Sequence, residues 1–282
     1  MPEEAAVNES TQAESGAPAH ACKHHFEIQP AKPTCKCQKL LWPRRIHALL
    51  GLALTCFLVI HLSLCMTGLN PVFYQSLVER VERTLSHLPG LVLIAIMIPL
   101  MAQACSGIFL LKKEGLKYVK KCNRGGELRY FLQRISALVI LAFAAIHVGT
   151  LHQWGLHLLY QVTHWNALAR YSTGGLFHAG SAFQSTVVGI QQPWTAGGPQ
   201  SLMNIGIMFF SLLGVLATAY HVANGAWSGG IVWKIAGTKV SKPIWACFSL
   251  LMGIVLAVSG SVAWYAFTFA AHARTVTSFV GR

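Results

Sequence analysis

The sequence predicts an all-α membrane protein, a bundle of five transmembrane helices behind a disordered polar tail, and three observations predict it. Only 11% of its 282 residues are charged and 54% are hydrophobic, against about 25% charged in ordinary soluble domains. Five apolar stretches each supply the roughly 20 helical residues that cross a hydrocarbon core. Lys and Arg gather at the ends that these crossings would place on one side of a membrane, the asymmetry that orients membrane proteins. A soluble enzyme is excluded.

The stretches run from Arg44 to Thr67, Pro89 to Leu111, Tyr130 to Leu151, Ser201 to Trp227 and Pro243 to Ala271. They make one transmembrane domain over residues 42–271, between a tail at 1–41 and a short outer segment at 272–282. Five crossings put the two ends on opposite sides. Met1 to Ala19 is rich in Glu, Ala and Ser and reads as a disordered cytoplasmic tail, and no apolar core near the start has the form of a cleavable signal peptide.

A net charge of +13 raises the possibility of a nucleic-acid partner, but its distribution argues against one. Basic residues concentrate at Lys23 to Arg45, Lys112 to Arg134 and Lys234 to Lys242, whereas Leu151 to Gln200 holds only Arg170. This pattern places the N-terminus and the second and fourth connections in the cytoplasm. Cys56, Cys65, Cys105 and Cys247 lie within spans, as small packing residues. Cys22, Cys35 and Cys37, with His20, His24 and His25, cluster on the cytoplasmic side, where disulfides are not expected. Their spacing matches no zinc signature well; a solvated tail is the reading, metal binding the alternative.

All nine acidic residues lie outside the apolar interiors, and there is no Asp. Proton-coupled transporters place ionisable groups at mid-membrane, so that class loses support. The spans contain histidine instead. His61, His147 and His221 each sit inside an apolar run, and neutral imidazole is the usual protein ligand to haem iron.

Depth arithmetic pairs two of them. His61 lies 16 residues beyond Arg45 on the outward-running first helix, or about 24 Å at 1.5 Å per residue. His147 lies 13 residues beyond Arg134 on the outward-running third helix, about 20 Å by the same rise. Two histidines at one depth can clamp a planar macrocycle between helices; interhelical hydrogen bonding is the alternative. His221 returns inward on the fourth helix, six residues before Trp227, and Gln103 of the second helix lies at a comparable depth. The partner that a second bis-histidine site would want is missing there.

Three motifs now carry a resemblance. Arg44-Arg45-Ile46-His47-Ala48-Leu49-Leu50-Gly51 precedes His61, Leu132-Gln133-Arg134-Ile135-Ser136 precedes His147, and Gly214-Val215-Leu216 leads to His221-Val222-Ala223-Asn224-Gly225-Ala226-Trp227-Ser228. In order and helix direction they resemble the five-helix, di-haem cytochrome b subunit of succinate dehydrogenases and fumarate reductases, over Arg44 to about Phe267.

The resemblance implies that His61 and His147 are the axial ligands of an outer, distal haem b, and that His221 holds an inner, proximal one. The proximal partner falls on Gln103, and glutamine is a poor haem ligand. Three outcomes follow there: an empty site, a five-coordinate haem on His221, or substitution by His47. A single distal haem is the expectation, with the five-coordinate haem second.

The resemblance further implies flavoprotein and iron-sulfur partner subunits docked on the cytoplasmic face of a bacterial inner membrane. They would hold the dicarboxylate chemistry, and electrons would pass from the iron-sulfur subunit through haem b to quinone, menaquinone by resemblance. Arg134, Ser136, Arg45 and His47 are the weaker candidates for quinone or propionate contact. The competing readings are the cytochrome b anchor of a hydrogenase or formate dehydrogenase, and a haem-free transporter or structural membrane protein. The residues do not reveal whether succinate is oxidised or fumarate reduced. The histidines and tryptophans of the long outer segment, residues 149–200, read as solvated loop and interfacial belt.

Overall fold

The computed structural model describes residues 40–88, 90–91, 93–114, 124–151, 153–166, 169, 177–191 and 202–271. The tail cluster of Cys22, Cys35, Cys37, His20, His24 and His25, the basic stretch from Lys117 to Lys121 and the segment 272–282 lie outside the described residues.

Every element among the described residues is helical. Five are long and apolar enough to cross a membrane: α1 (Leu41–Met66), α3 (Ile98–Glu114), α4 (Arg124–Leu151), α7 (Leu202–Val232) and α8 (Ser241–Tyr265). Single π turns at Leu93–Met97 and Ala266–Ala270 extend α3 and α8. Such helices satisfy every backbone hydrogen bond internally, which hydrocarbon requires. The chain is thus a multi-pass membrane protein with the expected five crossings. One boundary moves: α7 runs on past Trp227 to Val232, so His221 lies 11 residues from its end, about 16 Å at 1.5 Å per residue, and nearer mid-membrane than its distance from Trp227 implied.

Three shorter helices occupy the connections at the other end of the bundle: α2 (Pro71–Ser86), α5 (Gln153–Thr163) and α6 (Ala182–Gln191). Asn70 caps α2, its side-chain oxygen accepting from the Phe73 N–H at 3.2 Å, with Pro71 in the first helical position. Tyr74 and Val78, one turn apart, are buried while Glu79, Arg80, Glu82 and Arg83 face outward. The buried face packs with Ala182 and Phe267 into a small core that also touches Leu64 and Cys65 of α1 and Phe183 of α6. Burial pushes the Tyr74 phenol up to about 12, its hydroxyl lying 3.4 Å from that of Thr186. Gln75 ties α2 to α6, donating to the Ala179 carbonyl at 2.7 Å and accepting from the Phe183 N–H at 3.3 Å.

The bundle is held through α7, which packs against α8, α4 and α1, while α3 packs against α1. The α7–α8 seam is lined by small residues, the usual means by which membrane helices approach closely. Gly253 faces Ala223, and Gly260 faces Val215. At Gly230 the Trp245 indole lies across the α7 backbone and donates to the Ala226 carbonyl at 2.8 Å; a β-carbon there would overlap the ring. Gly230→Val should therefore cost about 1–3 kcal/mol of overpacking, seen as a lower melting temperature in detergent. Gly206→Ala, where nothing lies within 4 Å, should leave it unchanged. A wild-type melting temperature for Gly230→Val would show that the seam is loose.

Candidate functional site

The intramembrane histidines fall into two layers. In the outer layer, His61 of α1 and His147 of α4 meet with ring centroids 6.2 Å apart and planes at 75°. The two helices do not pack along their length; each packs against α7, and the imidazoles converge between them. Each ring stacks on a phenylalanine one turn earlier on its own helix. Phe57 lies 5.4 Å from His61 at 22°, and Phe143 lies 5.3 Å from His147 at 27°. Gly214 of α7 admits the Phe143 ring, since a β-carbon there would overlap it. Cys65, one turn beyond His61, places its sulfur 3.8 Å from His61 Nε2.

The inner layer, about 16 Å away along α4 for the 11 residues from His147 to Ser136, is built from hydrogen bonds. His221 Nδ1 lies 3.2 Å from both the Gln133 carbonyl and the Ser136 hydroxyl. A carbonyl oxygen can only accept, so Nδ1 carries the proton and the lone pair sits on Nε2. Ser136 donates to the same carbonyl at 3.0 Å. The Gln133 amide donates to the His221 carbonyl at 3.2 Å and accepts from Asn224 at 2.8 Å. Donation of one ring N–H to a backbone carbonyl is the arrangement that orients metal-ligating histidines.

Gln103, in contrast, faces α1. Its amide nitrogen lies 3.2 Å from His47 Nε2, and His47 Nδ1 lies 2.8 Å from Ser106 Oγ, which donates to the Gln103 carbonyl at 3.0 Å. An amide N–H must donate, so His47 accepts at Nε2, donates from Nδ1 and closes a three-residue ring. Gly51 and Gly107 leave room for it, with Gln103 Nε2 and His47 Cε1 each 3.3 Å from where a β-carbon would stand. Gln103 and His221 are thus each engaged with a different neighbour. Of the weaker candidates, Ser136 joins His221, buried Arg134 turns to Tyr130, and Arg45 lies on the first turn of α1, 16 residues from His61.

Among curated proteins, the chain is 24% identical over 231 residues to the succinate dehydrogenase cytochrome b558 subunit of Bacillus subtilis (strain 168), covering 79% of this chain and 95% of that one. It is a distant relative of that membrane subunit. No protein-family model matches the chain, and no solved structure matches it.

The spacing of the outer pair is close to that of two imidazoles on one metal ion. A ring centroid lies about 1.2 Å from its nitrogen and metal–imidazole bonds run about 2.0–2.1 Å, so two rings facing across one ion have centroids about 6.4–6.6 Å apart. The 6.2 Å found lies a few tenths of an ångström below that. Among the described residues no group of three or more His, Cys, Asp or Glu side chains could hold a metal ion. A macrocycle that brings its own four nitrogens needs only two.

The Gln103–His47 contact has a stability signature. Leaving one buried partner unsatisfied costs about 1–3 kcal/mol, whereas replacing both by apolar groups is nearly neutral. His47→Phe alone should lower unfolding stability in micelles by that amount, and the double variant His47→Phe/Gln103→Leu should recover most of the loss. Additive losses would mean that the two residues do not depend on each other.

Proposed function

We propose that this chain is the membrane-anchor cytochrome b subunit of a succinate:quinone oxidoreductase, with one haem b between His61 and His147. The observation that carries the reading is the 6.2 Å separation of those two rings, brought from separate helices to one depth inside the apolar bundle. The distant likeness to a succinate dehydrogenase cytochrome subunit supports the choice of complex.

In this reading His61 and His147 would hold the haem iron, one from each of the two helices, and the apolar bundle would keep water away. Phe57 and Phe143 fix the planes of the rings. Such ligation would suit electron transfer rather than oxygen binding. Bound there, haem b supplies a one-electron carrier between an iron-sulfur partner and membrane quinone.

The remaining assignments are proposals of the same reading. Flavoprotein and iron-sulfur subunits carry the dicarboxylate chemistry and dock at the basic end, where Arg44, Lys112, Lys113, Lys234, Lys239 and Lys242 lie. That end faces the cytoplasm of a bacterial inner membrane. The quinone, menaquinone by family resemblance, contacts Ser136 or Arg134. His47, with both ring nitrogens engaged, is not spare to bind iron.

A second reading has its own observation. His221 is preset as a ligand, Nδ1–H held by the Gln133 carbonyl and Nε2 carrying the lone pair, which favours a five-coordinate haem there. Pyridine-haemochrome analysis of the purified complex separates the two. One haem per chain is expected, lost in His61→Ala and in His147→Ala and kept in His221→Ala. Two haems, one removed by His221→Ala, would establish the second reading. No haem in the wild type would end both. Gln103→His, which restores an imidazole and breaks the contact to His47, should raise haem binding at the inner site.

A further inference from the structure

The end of the bundle where α1 begins and α7 finishes holds a guanidinium that forms no ion pair among the described residues. Arg45 lies 5.6 Å from the centroid of the Trp42 ring and 5.2 Å from that of Trp233, so indoles from two helices clamp it. Stacking on aromatic faces fixes the plane of the group but uses none of its five N–H donors. Its Nε is buried without a hydrogen-bond partner. Among the described residues Arg45 forms no ion pair; Glu79 and Glu82 lie on α2 at the opposite end, and Glu114 and Glu127, the carboxylates of its own end, belong to α3 and α4. A half-buried, unanswered cation at the edge of a bilayer is costly. An anion would remove that cost.

The surface beside Arg45 says what kind of anion. Trp42, Ile46 and Leu49 form one stripe up α1 at helical spacing and are 65%, 51% and 58% exposed. A dissolved anion gains nothing from such a stripe. A phospholipid matches both parts, since its phosphate accepts from the guanidinium in forked geometry and its acyl chain covers the stripe. Interfacial tryptophans and basic pockets between transmembrane helices are the usual surroundings of lipid head groups. A carboxylate on a macrocycle held at His61 cannot reach, since Arg45 lies 16 residues away along α1, about 24 Å.

We propose that Arg45, clamped between Trp42 and Trp233, binds the phosphate of an anionic phospholipid whose acyl chain runs along Trp42, Ile46 and Leu49. The site stands on the membrane fold alone and is independent of what His61 and His147 hold.

The test is native mass spectrometry of the detergent-purified, delipidated full chain with any subunits that purify with it. It is titrated separately with phosphatidylglycerol, phosphatidylcholine and inorganic phosphate. Wild type should bind phosphatidylglycerol in preference to the other two. Arg45→Gln should weaken that binding about tenfold, the loss of one charge-assisted hydrogen-bonded contact, and Lys242→Gln, an exposed cation at the same end, should leave it within about twofold. Equal losses in the two variants would reduce the effect to general charge. Inorganic phosphate binding as well as the lipid would make it a free-anion site, and equal binding of phosphatidylcholine would remove the anionic preference; each overturns the proposal. So does loss of haem in Arg45→Gln with lipid binding intact, which would assign the guanidinium to a propionate. Should Arg45→Gln not fold, Trp42→Leu carries the same test, with severalfold weaker lipid binding expected and unchanged binding fatal.

Discussion

Hydrocarbon supplies no hydrogen bonds, so every polar group that five crossings carry into it must find its partner within the chain. Helices answer the backbone. Hydroxyls then fold back onto the preceding turn: Thr55 donates to the Gly51 carbonyl at 2.7 Å, Thr218 to Gly214 at 2.8 Å and Ser259 to Val255 at 2.7 Å. The two indoles of α8 that face α7 donate across the seam, Trp245 to Ala226 and Trp264 to Met208, each at 2.8 Å. These bonds require backbones at close range, and the glycines at 230, 253 and 260 allow it. The α7–α8 pair becomes the rigid member against which α1 and α4 are set, and the separation of His61 from His147 follows from it.

The same rule divides the histidines into two kinds. His221 is locked by a carbonyl, a hydroxyl and a neighbouring amide, and His47 by an amide and a hydroxyl. His61 instead has a stacked ring and a thiol at 3.8 Å, a weak contact for a group that usually needs a strong one. In hydrocarbon an imidazole paired that weakly gains much from a ligand. At His61 the chain leaves that gain available.

Much of this was legible in the sequence. The five crossings stand out because hydropathy over 20 residues integrates many small contributions, and the meeting of His61 with His147 follows from a fixed rise per residue counted from charged anchors. The short helices were not legible. In α2, charged residues alternate with Tyr74 and Val78, so its mean hydropathy is unremarkable and only its one-sided pattern marks it as a helix lying along the bundle end. The bonding of Gln103 to His47 rather than toward His221 is a matter of which faces α1 and α3 present, which no spacing reveals. A phenylalanine one turn before each of His61 and His147 was open to view. It gains meaning only once both rings are seen to stack.

On the proposed function, the position of the outer pair constrains electron transfer. Tunnelling rates fall exponentially with distance, and a carrier at His61 stands 16 residues along α1 from Arg45, about 24 Å above the basic end. A partner docked at that end is poorly served by so long a single step. His221 lies between, about 16 Å nearer along α4, with its lone pair directed by the Gln133 carbonyl. If the inner layer holds no carrier, the outer pair is reached in one long step. If His221 holds one, electrons reach the outer pair and quinone can react at the opposite face. On the proposed function Gln103 therefore bears on more than the number of haems: its turn to His47 goes with one long electron step in place of two shorter ones.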